Sequence, residues 1–287
     1  MPKISAFILA RNEEKNLRYC LETLRWCDEI VVVDMDSEDA TASVAREYTD
    51  KVYSHEKILS FDIAKKFGIE RTTGDWILLV DADEMIQGSL ADKLVSLSPD
   101  PSIDIIEIPF KHFIMGARVE HTGWGYTPLP RFFRRGKIRF TGTIHGYMHK
   151  DPLARTVTLE SLDEYCVYHF AYVDSEHFVR KLNLYTTVES SHLFQDNAPF
   201  SRRRMVGRAL REFVDRYIGG KGYRDGIRGF SLAVMMAFYR ALTYIKLWER
   251  YEFRGEPAAT KYERIRTRIL AGKKTAGADP PVRQEPR

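Results

Sequence analysis

Residues 76–84 read WILLVDADE, five apolar residues followed at once by three acids within four positions. An unbroken apolar run of this kind is typical of a strand that is covered on both faces of a sheet. Alternate residues leaving a strand point to the same side, so Asp81 and Asp83 can bring two carboxylates together. Such a pair suits Mg²⁺ or Mn²⁺, which keep their remaining positions for phosphate and water. A solvated acidic turn that caps the next helix is the alternative, because an isolated Asp-x-Asp is a weak motif.

The residues before this stretch alternate between short apolar runs and segments with helical periodicity. They predict strands at Ile4–Ala10 and Glu29–Asp34, a weaker strand at 51–54 and a helix at 62–71. Between the first two strands, three leucines recur at helical spacing and predict one buried face: Leu17, Leu21 and Leu24. Asn12 is the predicted cap of that helix. The alternation predicts an α/β fold with a mostly parallel central sheet flanked by helices.

Three polar turns follow the predicted strands, at residues 11–14, 34–39 and 81–84. In an open α/β sheet, ligands bind beyond the carboxyl ends of the strands, so we expect these turns to line one crevice. Asp34 can hydrogen-bond a nucleobase or a ribose there, whereas Asp39 is expected to cap the following helix. The sequence has neither a Gly-x-Gly-x-x-Gly motif nor a Walker-type loop, the two standard phosphate-binding loops. We therefore expect a metal ion to neutralise the phosphate charge.

The character of the sequence changes after about residue 100. Further strands are predicted at 103–110 and 131–140, on either side of a loop at 116–130 whose length favours a functional role. We therefore predict an α/β domain over residues 1–170 and a helical C-terminal extension over 171–272. Within the extension, helices are predicted at 175–194, 201–217 and 227–250, and residues 273–287 are predicted to be disordered.

The strand predicted at 131–140 carries a basic run whose members are Arg131, Arg134, Arg135, Lys137 and Arg139. Interleaved phenylalanines favour a strand with one cationic face, which would grip phosphate if it faced the crevice. A solvated strand face is the alternative for every member except Arg131, which lies nearest the loop.

The length and composition are those of a chain that can bury a sizeable core without a stabilising metal ion or disulfide bond. Its 287 residues are 44% hydrophobic, with a net charge of +4 and a pI near 8.8. These values are compatible with polyanionic phosphates or anionic lipid and demand no nucleic-acid partner. Three cysteines without metal-ligand spacing fit a reducing compartment, and the opening apolar run is too short for a signal sequence. We therefore expect a cytoplasmic location.

The helix predicted at 227–250 is apolar, but Arg240 and Lys246 interrupt it. It has no stretch of about 20 uncharged apolar residues, so the sequence predicts that it does not span a membrane. Three interpretations remain open: contact with a membrane surface, a homodimer contact, and ordinary burial against neighbouring helices.

Several ordered motifs together resemble family 2 glycosyltransferases of the GT-A fold, in particular the bacterial lipopolysaccharide core glucosyltransferase type. The motifs are residues 10–14 (ARNEE), 26–34 (WCDEIVVVD) with Ser37 and Thr41, and 74–84 (GDWILLVDADE). The resemblance covers roughly residues 3–90 and continues more loosely through 131–135 and 144–145. Residues 224–226 (RDG) are similar to the helical tail of that group.

This resemblance implies an inverting enzyme that moves a hexose from a nucleotide sugar, expected to be UDP-linked, to a glycan or lipid-linked acceptor at the cytoplasmic membrane face. It implies a divalent metal, Mg²⁺ or Mn²⁺, at Asp83 with Asp81 assisting. The residues implied to line the donor pocket are Ala10, Asn12, Glu13, Asp34, Asp81 and Arg131.

The identity of the general base stays open in the sequence. Relatives commonly carry His-Glu where this chain has His145-Gly146, so a base role for that acid does not carry over. Glu120 in the long loop and His145 are the candidates. Two rival functions also remain, a nucleotidyltransferase and a non-catalytic nucleotide- or metal-binding module.

Overall fold

The computed structural model describes residues 1–56, 61–140, 148–160, 163–253 and 258–272. The predicted tail at 273–287 lies outside the described residues. The strands are β1 (Ile4–Ala10), β2 (Glu29–Asp34), β3 (Val52–Ser54), β4 (Trp76–Asp81), β5 (Glu84–Ile86), β6 (Ile105–Ile108), β7 (Phe110–Ile114), β8 (Ala117–Val119), β9 (Leu129–Arg134), β10 (Ile138–Phe140), β11 (Met148–Lys150), β12 (Thr156–Thr158) and β13 (Val167–Tyr172).

The helices are α1 (Glu14–Glu22), α2 (Thr41–Arg46), α3 (Phe61–Ile69), α4 (Gly88–Leu97), α5 (Ser175–Gln195), α6 (Arg202–Val214), α7 (Gly226–Glu252) and α8 (Ala258–Leu270). A π-helical turn at Asp215–Gly219 and a 3₁₀ turn at Gly222–Asp225 connect α6 to α7. The predicted helical C-terminal extension is thus confirmed, and its first helix begins three residues after the last strand ends.

The larger sheet has seven strands within the described residues, in the order β3-β2-β1-β4-β9-β6-β12. The first four are mutually parallel, and β9 runs antiparallel to both of its neighbours. The predicted α/β fold with a mostly parallel central sheet is therefore confirmed. Strand order reverses at β1, which lies between β2 and β4, and this is where an open sheet leaves a crevice for a ligand.

Apolar layers cover both faces of this sheet. On one face, Leu17, Leu21 and Leu24 are fully buried, as their spacing predicts. Trp76 of β4 stacks on Phe132 of β9, with ring centroids 4.5 Å apart. Burial on both faces explains why the central strands are apolar without alternation.

The strand predicted at 103–110 is wrong in its continuity. Pro109 lies between β6 in the large sheet and β7 in a second sheet. Because proline has no N–H to donate to a ladder, the chain changes sheets at this residue.

The single cationic strand predicted at 131–140 is also wrong. The chain turns after Arg134, at Gly136 with a φ of +84°, and returns as the separate strand β10. Arg134 donates to the Ile103 carbonyl at 2.8 Å, and Arg135 donates to the Gly74 carbonyl at 2.7 Å. These guanidinium groups stabilise turns at the amino end of β4, opposite the crevice. Arg134 and Arg135 are patterned like a strand face, but backbone carbonyls are their partners, and Lys137 pairs with Asp151 at 2.9 Å.

The second sheet contains four strands in the order β5-β13-β7-β8 within the described residues. The helical extension packs on it through a cluster of buried side chains: Ile114, Val119, Ala171, Phe178, Leu182 and Leu232. The extension is therefore attached to the sheet that adjoins the acidic turn after β4.

One described segment, Gly222–Glu252, is long and apolar enough to cross a membrane by length and composition. Its 18-residue window has a mean hydropathy of 1.2, and 28% of that window is buried. By this measure two charged side chains do not exclude a span, and the sequence prediction that α7 does not span a membrane stays a prediction. Core helices of soluble proteins can pass the same test, but they are mostly buried, whereas much of α7 is exposed.

Candidate functional site

The carboxyl ends of β2, β1 and β4 meet at one edge of the large sheet. Ala10 pairs with Asp34, and Leu9 pairs with Asp81. Since neighbouring strands lie roughly 5 Å apart, the two aspartates leave the sheet on either side of β1, about 10 Å from each other. This is the juxtaposition that the sequence predicts for a ligand crevice.

The two turns that follow β1 and β2 are held together by hydrogen bonds. The backbone amide of Asn12 donates to the Ser37 hydroxyl at 2.9 Å, and the side-chain Oδ1 of Asn12 accepts from the Glu38 backbone amide at 2.8 Å. Asn12 adopts a left-handed φ of 54°, and Glu13 occupies the cap position of α1. The prediction that Asn12 caps this helix is therefore wrong, because its side chain binds the neighbouring turn instead.

Asp34 ends β2 with its side chain buried. One carboxylate oxygen accepts from the Ser37 amide at 3.4 Å, and the other is buried without a protein partner among the described residues. A buried acceptor without a partner is uncommon and is explained by a missing donor. A base N–H or a ribose hydroxyl has the required chemistry. Asp39, by contrast, accepts from the Thr41 amide at 3.0 Å and from the Glu14 amide at 3.2 Å. The cap position of α2 is Ala40, so the prediction that Asp39 caps this helix is wrong, and its carboxylate instead joins the start of α2 to the turn after β1.

Arg131 of β9 joins the acids that follow β4. Its Nη2 donates to Asp81 and to Glu84, at 2.7 Å in each case, and the second Glu84 oxygen accepts from the Asp81 amide at 2.8 Å. Burial opposes ionisation of Asp81, but Arg131 and Lys65 hold its pKa well below the usual range. Burial raises the pKa of Glu84 to about 8 against the pull of Arg131. Arg131 thus stabilises the acidic turn from within.

Asp83 faces two basic side chains supplied by different parts of the chain. His169 of β13 places its Nε2 3.6 Å from one carboxylate oxygen, and Lys181 of α5 places its Nζ 3.3 Å from the other. Burial opposes ionisation of Asp83, yet His169 and Lys181 lower its pKa overall. Burial likewise opposes the charged forms of His169 and Lys181, and Asp83 raises the pKa of both. These three side chains form a partly buried cluster around the Asp83 carboxylate.

His112 orients His169. Their Nδ1 atoms are 3.0 Å apart, and the His112 ring stacks on Phe110. Burial and the neighbouring His169 lower the pKa of His112 to about 4, so it is neutral at physiological pH. A neutral His112 accepts the Nδ1–H of His169, which leaves the His169 Nε2 directed at Asp83.

The donor set at Asp83 fits a divalent ion that is shared with a substrate. Asp83 offers a carboxylate and His169 an imidazole, with Asp81 one residue away along the turn. Among the described residues, no group of three or more His, Cys, Asp or Glu side chains is arranged to hold an ion alone. Mg²⁺ and Mn²⁺ are commonly bound by one or two protein ligands plus substrate phosphates, which matches this open arrangement.

The remaining residues predicted to line the donor pocket lie at the same edge. Burial and the negative charge of Asp83 raise the pKa of Glu13. Ala10 is buried, and its carbonyl accepts from the Met35 amide at 2.9 Å. The structure therefore brings Ala10, Glu13 and Asp83 towards one region.

Of the two candidate bases, the structure describes Glu120 but not His145. Glu120 follows β8 and is half exposed, with an ion pair of 3.0 Å to Arg118. In the part of the chain that the structure describes, none of its polar contacts reaches Asp81 or Asp83. His145 lies outside the described residues. The base role of each stays a prediction.

Asp225 of the extension fixes the long loop that contains Glu120. Its carboxylate accepts from the His121 amide at 2.9 Å, from the His121 ring at 3.0 Å and from the Thr122 hydroxyl at 3.3 Å. Sequence reasoning missed this role, and it also missed His169 and Lys181 as neighbours of Asp83. Residues 224–226 were noticed only as a similarity. His169 and Lys181 carry no local signal, because they lie on β13 and α5, far along the chain from Asp83.

Comparison with known proteins bears on the activity. The model of the family described as Glycosyl transferase family 2 matches residues 5–159. The lipopolysaccharide core biosynthesis glycosyltransferase LpsC of Rhizobium meliloti (strain 1021) is 27% identical over 90% of this chain and 97% of its own. The glycosyltransferase SunS of Bacillus subtilis (strain 168) is 30% identical over 68% of this chain and 47% of its own.

Solved structures give a weaker likeness. S. aureus TarS 1–349 is 18% identical with a TM-score of 0.44, over 88% of this chain and 92% of that chain. Glucosyl-3-phosphoglycerate synthase of Mycobacterium tuberculosis, crystallised with Mn²⁺ and UDP-glucose, is 22% identical with a TM-score of 0.33. That match covers 40% of this chain and 44% of the synthase.

Proposed function

The chain belongs to glycosyl transferase family 2, and we propose that it transfers a hexose from a nucleotide sugar, UDP-linked in our expectation, to a glycan or lipid-linked acceptor with inversion at the anomeric carbon. We place this reaction in the cytoplasm, at the inner face of the cytoplasmic membrane. The observation that carries the proposal is the buried oxygen of Asp34, which has no partner among the described residues and lies at the same sheet edge as the Asp83 cluster.

Each end of a nucleotide sugar has a complementary group at this edge. Asp34 would accept a hydrogen bond from the base or ribose, and Ala10, Asn12 and Glu13 would line the nucleotide pocket. Asp83 and His169 would hold a divalent ion with Asp81 nearby. When bound, such an ion withdraws electron density from the departing diphosphate.

Two cationic side chains of the protein, Lys181 and Arg131, would also help to stabilise the negative charge of the departing diphosphate. Lys181, 3.3 Å from Asp83, is placed to contact a phosphate oxygen when the donor binds. Arg131 keeps Asp81 ionised and in position through its 2.7 Å bond. The side chain of Lys181 is 25% exposed, so it is partly shielded from bulk water, which strengthens its attraction for the charge that develops on the leaving group.

In the transfer, the acceptor hydroxyl oxygen forms a bond to the anomeric carbon as the bond from that carbon to the phosphate oxygen breaks. The hydroxyl proton passes to a base, and the nucleoside diphosphate leaves with the electron pair. Glu120 and His145 are the proposed bases. Glu120 would first have to leave its ion pair with Arg118.

The experiment compares Asp83→Asn with a matched exposed control, Asp92→Asn on α4. Donor turnover is measured with a panel of nucleotide sugars, with and without Mn²⁺, and ligand binding by thermal shift. Asp83→Asn should lower turnover roughly 100-fold or more, since it removes a preorganised charge at the reacting phosphate. The control should leave turnover unchanged.

Three results would contradict the proposal. Normal turnover by Asp83→Asn with Mn²⁺ present would show that the Asp83 carboxylate has no role in the reaction. A thermal shift with nucleoside triphosphates that exceeds the shift with nucleotide sugars would favour nucleotidyl transfer. Binding of nucleotide sugars that Asp34→Ala leaves unchanged would refute the role of the Asp34 oxygen.

A further inference from the structure

The outer faces of α6 and α7 each carry a stripe of exposed apolar side chains. On α6 and the turn after it, the residues recur every four positions and are 47% to 63% exposed: Val206, Leu210, Val214 and Ile218. On α7 they recur every three or four positions and are 43% to 74% exposed: Ile227, Phe230, Val234 and Phe238. Such spacing places each set on one side of its helix.

The two stripes adjoin. Phe213 of α6 contacts Phe230 of α7 with ring centroids 6.0 Å apart, and Tyr217 contacts the same ring at 5.7 Å. Phe213 and Tyr217 directly precede the exposed residues Val214 and Ile218, so their rings fill the space between the two stripes. We call the resulting continuous area the α6–α7 surface. Soluble proteins rarely leave a contiguous apolar area of this kind uncovered, so a partner is expected to cover it.

Positive charge surrounds this surface. Residues 201–228 contain nine arginines and lysines against three acids, whereas the net charge of the whole chain is +4. Two of the acids are already paired: Glu212 with Arg216 at 2.6 Å, and Asp215 with Arg211 at 3.3 Å. The third, Asp225, binds the His121 segment. The surroundings of the surface are therefore strongly cationic.

We infer that the α6–α7 surface docks the protein onto an anionic membrane surface. Apolar side chains would enter the boundary between headgroups and acyl chains, and the flanking arginines would contact lipid phosphates. A second copy of the chain fits less well, because a self-complementary contact would bring two cationic segments together. The charge complementarity selects anionic lipid.

In this inference α7 lies on the membrane and does not cross it, because its inner face packs on the protein and includes two cations that are bonded to α5. Lys246 of α7 donates to the Asn183 side chain at 2.8 Å and to the Thr187 hydroxyl at 2.7 Å, both on α5. Arg240 pairs with Glu189 of α5 at 3.1 Å. A spanning orientation would expose these groups to hydrocarbon, whereas a flat one leaves them buried in the protein.

The surface adjoins the proposed acceptor side of the site. Arg216, on the turn between the helices, donates to the Thr122 carbonyl at 2.7 Å, and Asp225 holds His121. Docking would thus present the 116–130 loop to the membrane, where a lipid-linked acceptor would lie. The encounter of this loop with a lipid-linked acceptor rests on the proposed function, whereas lipid binding itself does not.

The test is flotation of the full chain with vesicles of mixed phosphatidylglycerol and phosphatidylcholine, compared with phosphatidylcholine alone. We expect binding to the mixed vesicles that weakens with salt. Leu210→Glu should lower the partition coefficient about tenfold or more, because it removes an inserted apolar group and adds like charge. Arg203→Glu should lower it about fivefold or more. The matched controls are Leu153→Glu and Arg46→Glu, exposed residues elsewhere that should leave binding unchanged.

Donor turnover in solution is measured on the same variants, which separates this inference from the proposed function. Leu210→Glu should keep normal turnover and lose only vesicle binding. Equal binding to neutral vesicles, or loss in the controls as large as in Leu210→Glu, would overturn the inference. So would a dimer in lipid-free solution that Leu210→Glu dissociates, because the surface would then be a contact between copies. If Asp83→Asn kept its donor turnover while flotation behaved as expected, the function would fail and the docking would stand.

Discussion

Replacing Arg131 by methionine tests the internal support of the acidic turn. Methionine keeps most of the side-chain length but removes the charge and both bonds, each 2.7 Å, to Asp81 and Glu84. The site is closed to water on the arginine side, since Arg131 is 8% exposed. Two carboxyl groups would lose their common cation.

The expected loss follows from which acid stays charged. Removing one partner of a buried ion pair costs about 3–5 kcal/mol. Burial raises the pKa of Glu84 to about 8, so this group is largely uncharged at neutral pH and remains so without the arginine. Asp81 is then the main uncompensated charge, and its side chain is 36% exposed, which allows partial hydration. We therefore expect the low end of the range, about 3 kcal/mol.

Urea unfolding at pH 7 measures the change. Adding Asp81→Asn to Arg131→Met should recover about 1 kcal/mol or more, because it removes the unpaired charge. Arg131 lowers the pKa of Asp81, so the stabilisation is present above the usual aspartate pKa and is lost as pH falls towards the lowered one. The difference between wild type and Arg131→Met should shrink accordingly in acid. A loss under about 1 kcal/mol, or no recovery in the double variant, would refute the reasoning.

Three further predictions concern stability and order. Although burial opposes it, bonds from lysine, serine and threonine side chains and a backbone amide lower the pKa of Glu29 from 4.5 to about 2. Glu29→Gln should therefore lose about 2–3 kcal/mol above pH 4.5, a difference that disappears as pH falls to about 2 in urea unfolding. Asp225→Ala should speed amide exchange at His121 and lower stability by about 1–3 kcal/mol, since it leaves the His121 donors unpaired. Gly229→Ala should cost about 1–3 kcal/mol of unfolding free energy, because a Cβ would overlap the Gly222 carbonyl oxygen.

Each of these has an outcome that contradicts it. A pH-independent difference for Glu29→Gln would mean that its ion pair does not shift the carboxyl pKa in the native state. Unchanged exchange at His121 would show that the loop does not depend on Asp225. Wild-type stability of Gly229→Ala would show that the 3₁₀ turn moves freely away from α7.

Local patterns were sufficient for most of the first hundred residues. The boundaries predicted for β1 and β2 agree with the structure, and Leu17, Leu21 and Leu24 are buried as their spacing predicts. Buried parallel strands are easy to predict from sequence, because both of their faces are covered and therefore apolar. In this chain, acidic residues follow the apolar runs and show where the strands end. The position of Asp34 and Asp81 at one edge follows from the same rule.

Local patterns failed where a residue's partner is distant in the chain. The basic residues at 131–135 looked like a phosphate-binding face, but Arg134 and Arg135 bind backbone carbonyls some 30 and 60 residues away. Asn12 has the chemistry of a helix cap, yet it found a partner in the turn after β2. Side-chain type predicts what a group can bond, and only the packed chain selects which bond it makes.

The sequence alone determined the parallel strands β1, β2 and β4, their acidic edge and the family, because strand periodicity and motif order are properties of neighbouring residues. Only the tertiary structure decided that His169 and Lys181 close on Asp83 from two other elements. It also decided that the apolar stripes of α6 and α7 lie side by side and remain exposed. The physical reason is that a charged cluster or a continuous surface depends on distances across the fold, which a linear pattern does not contain.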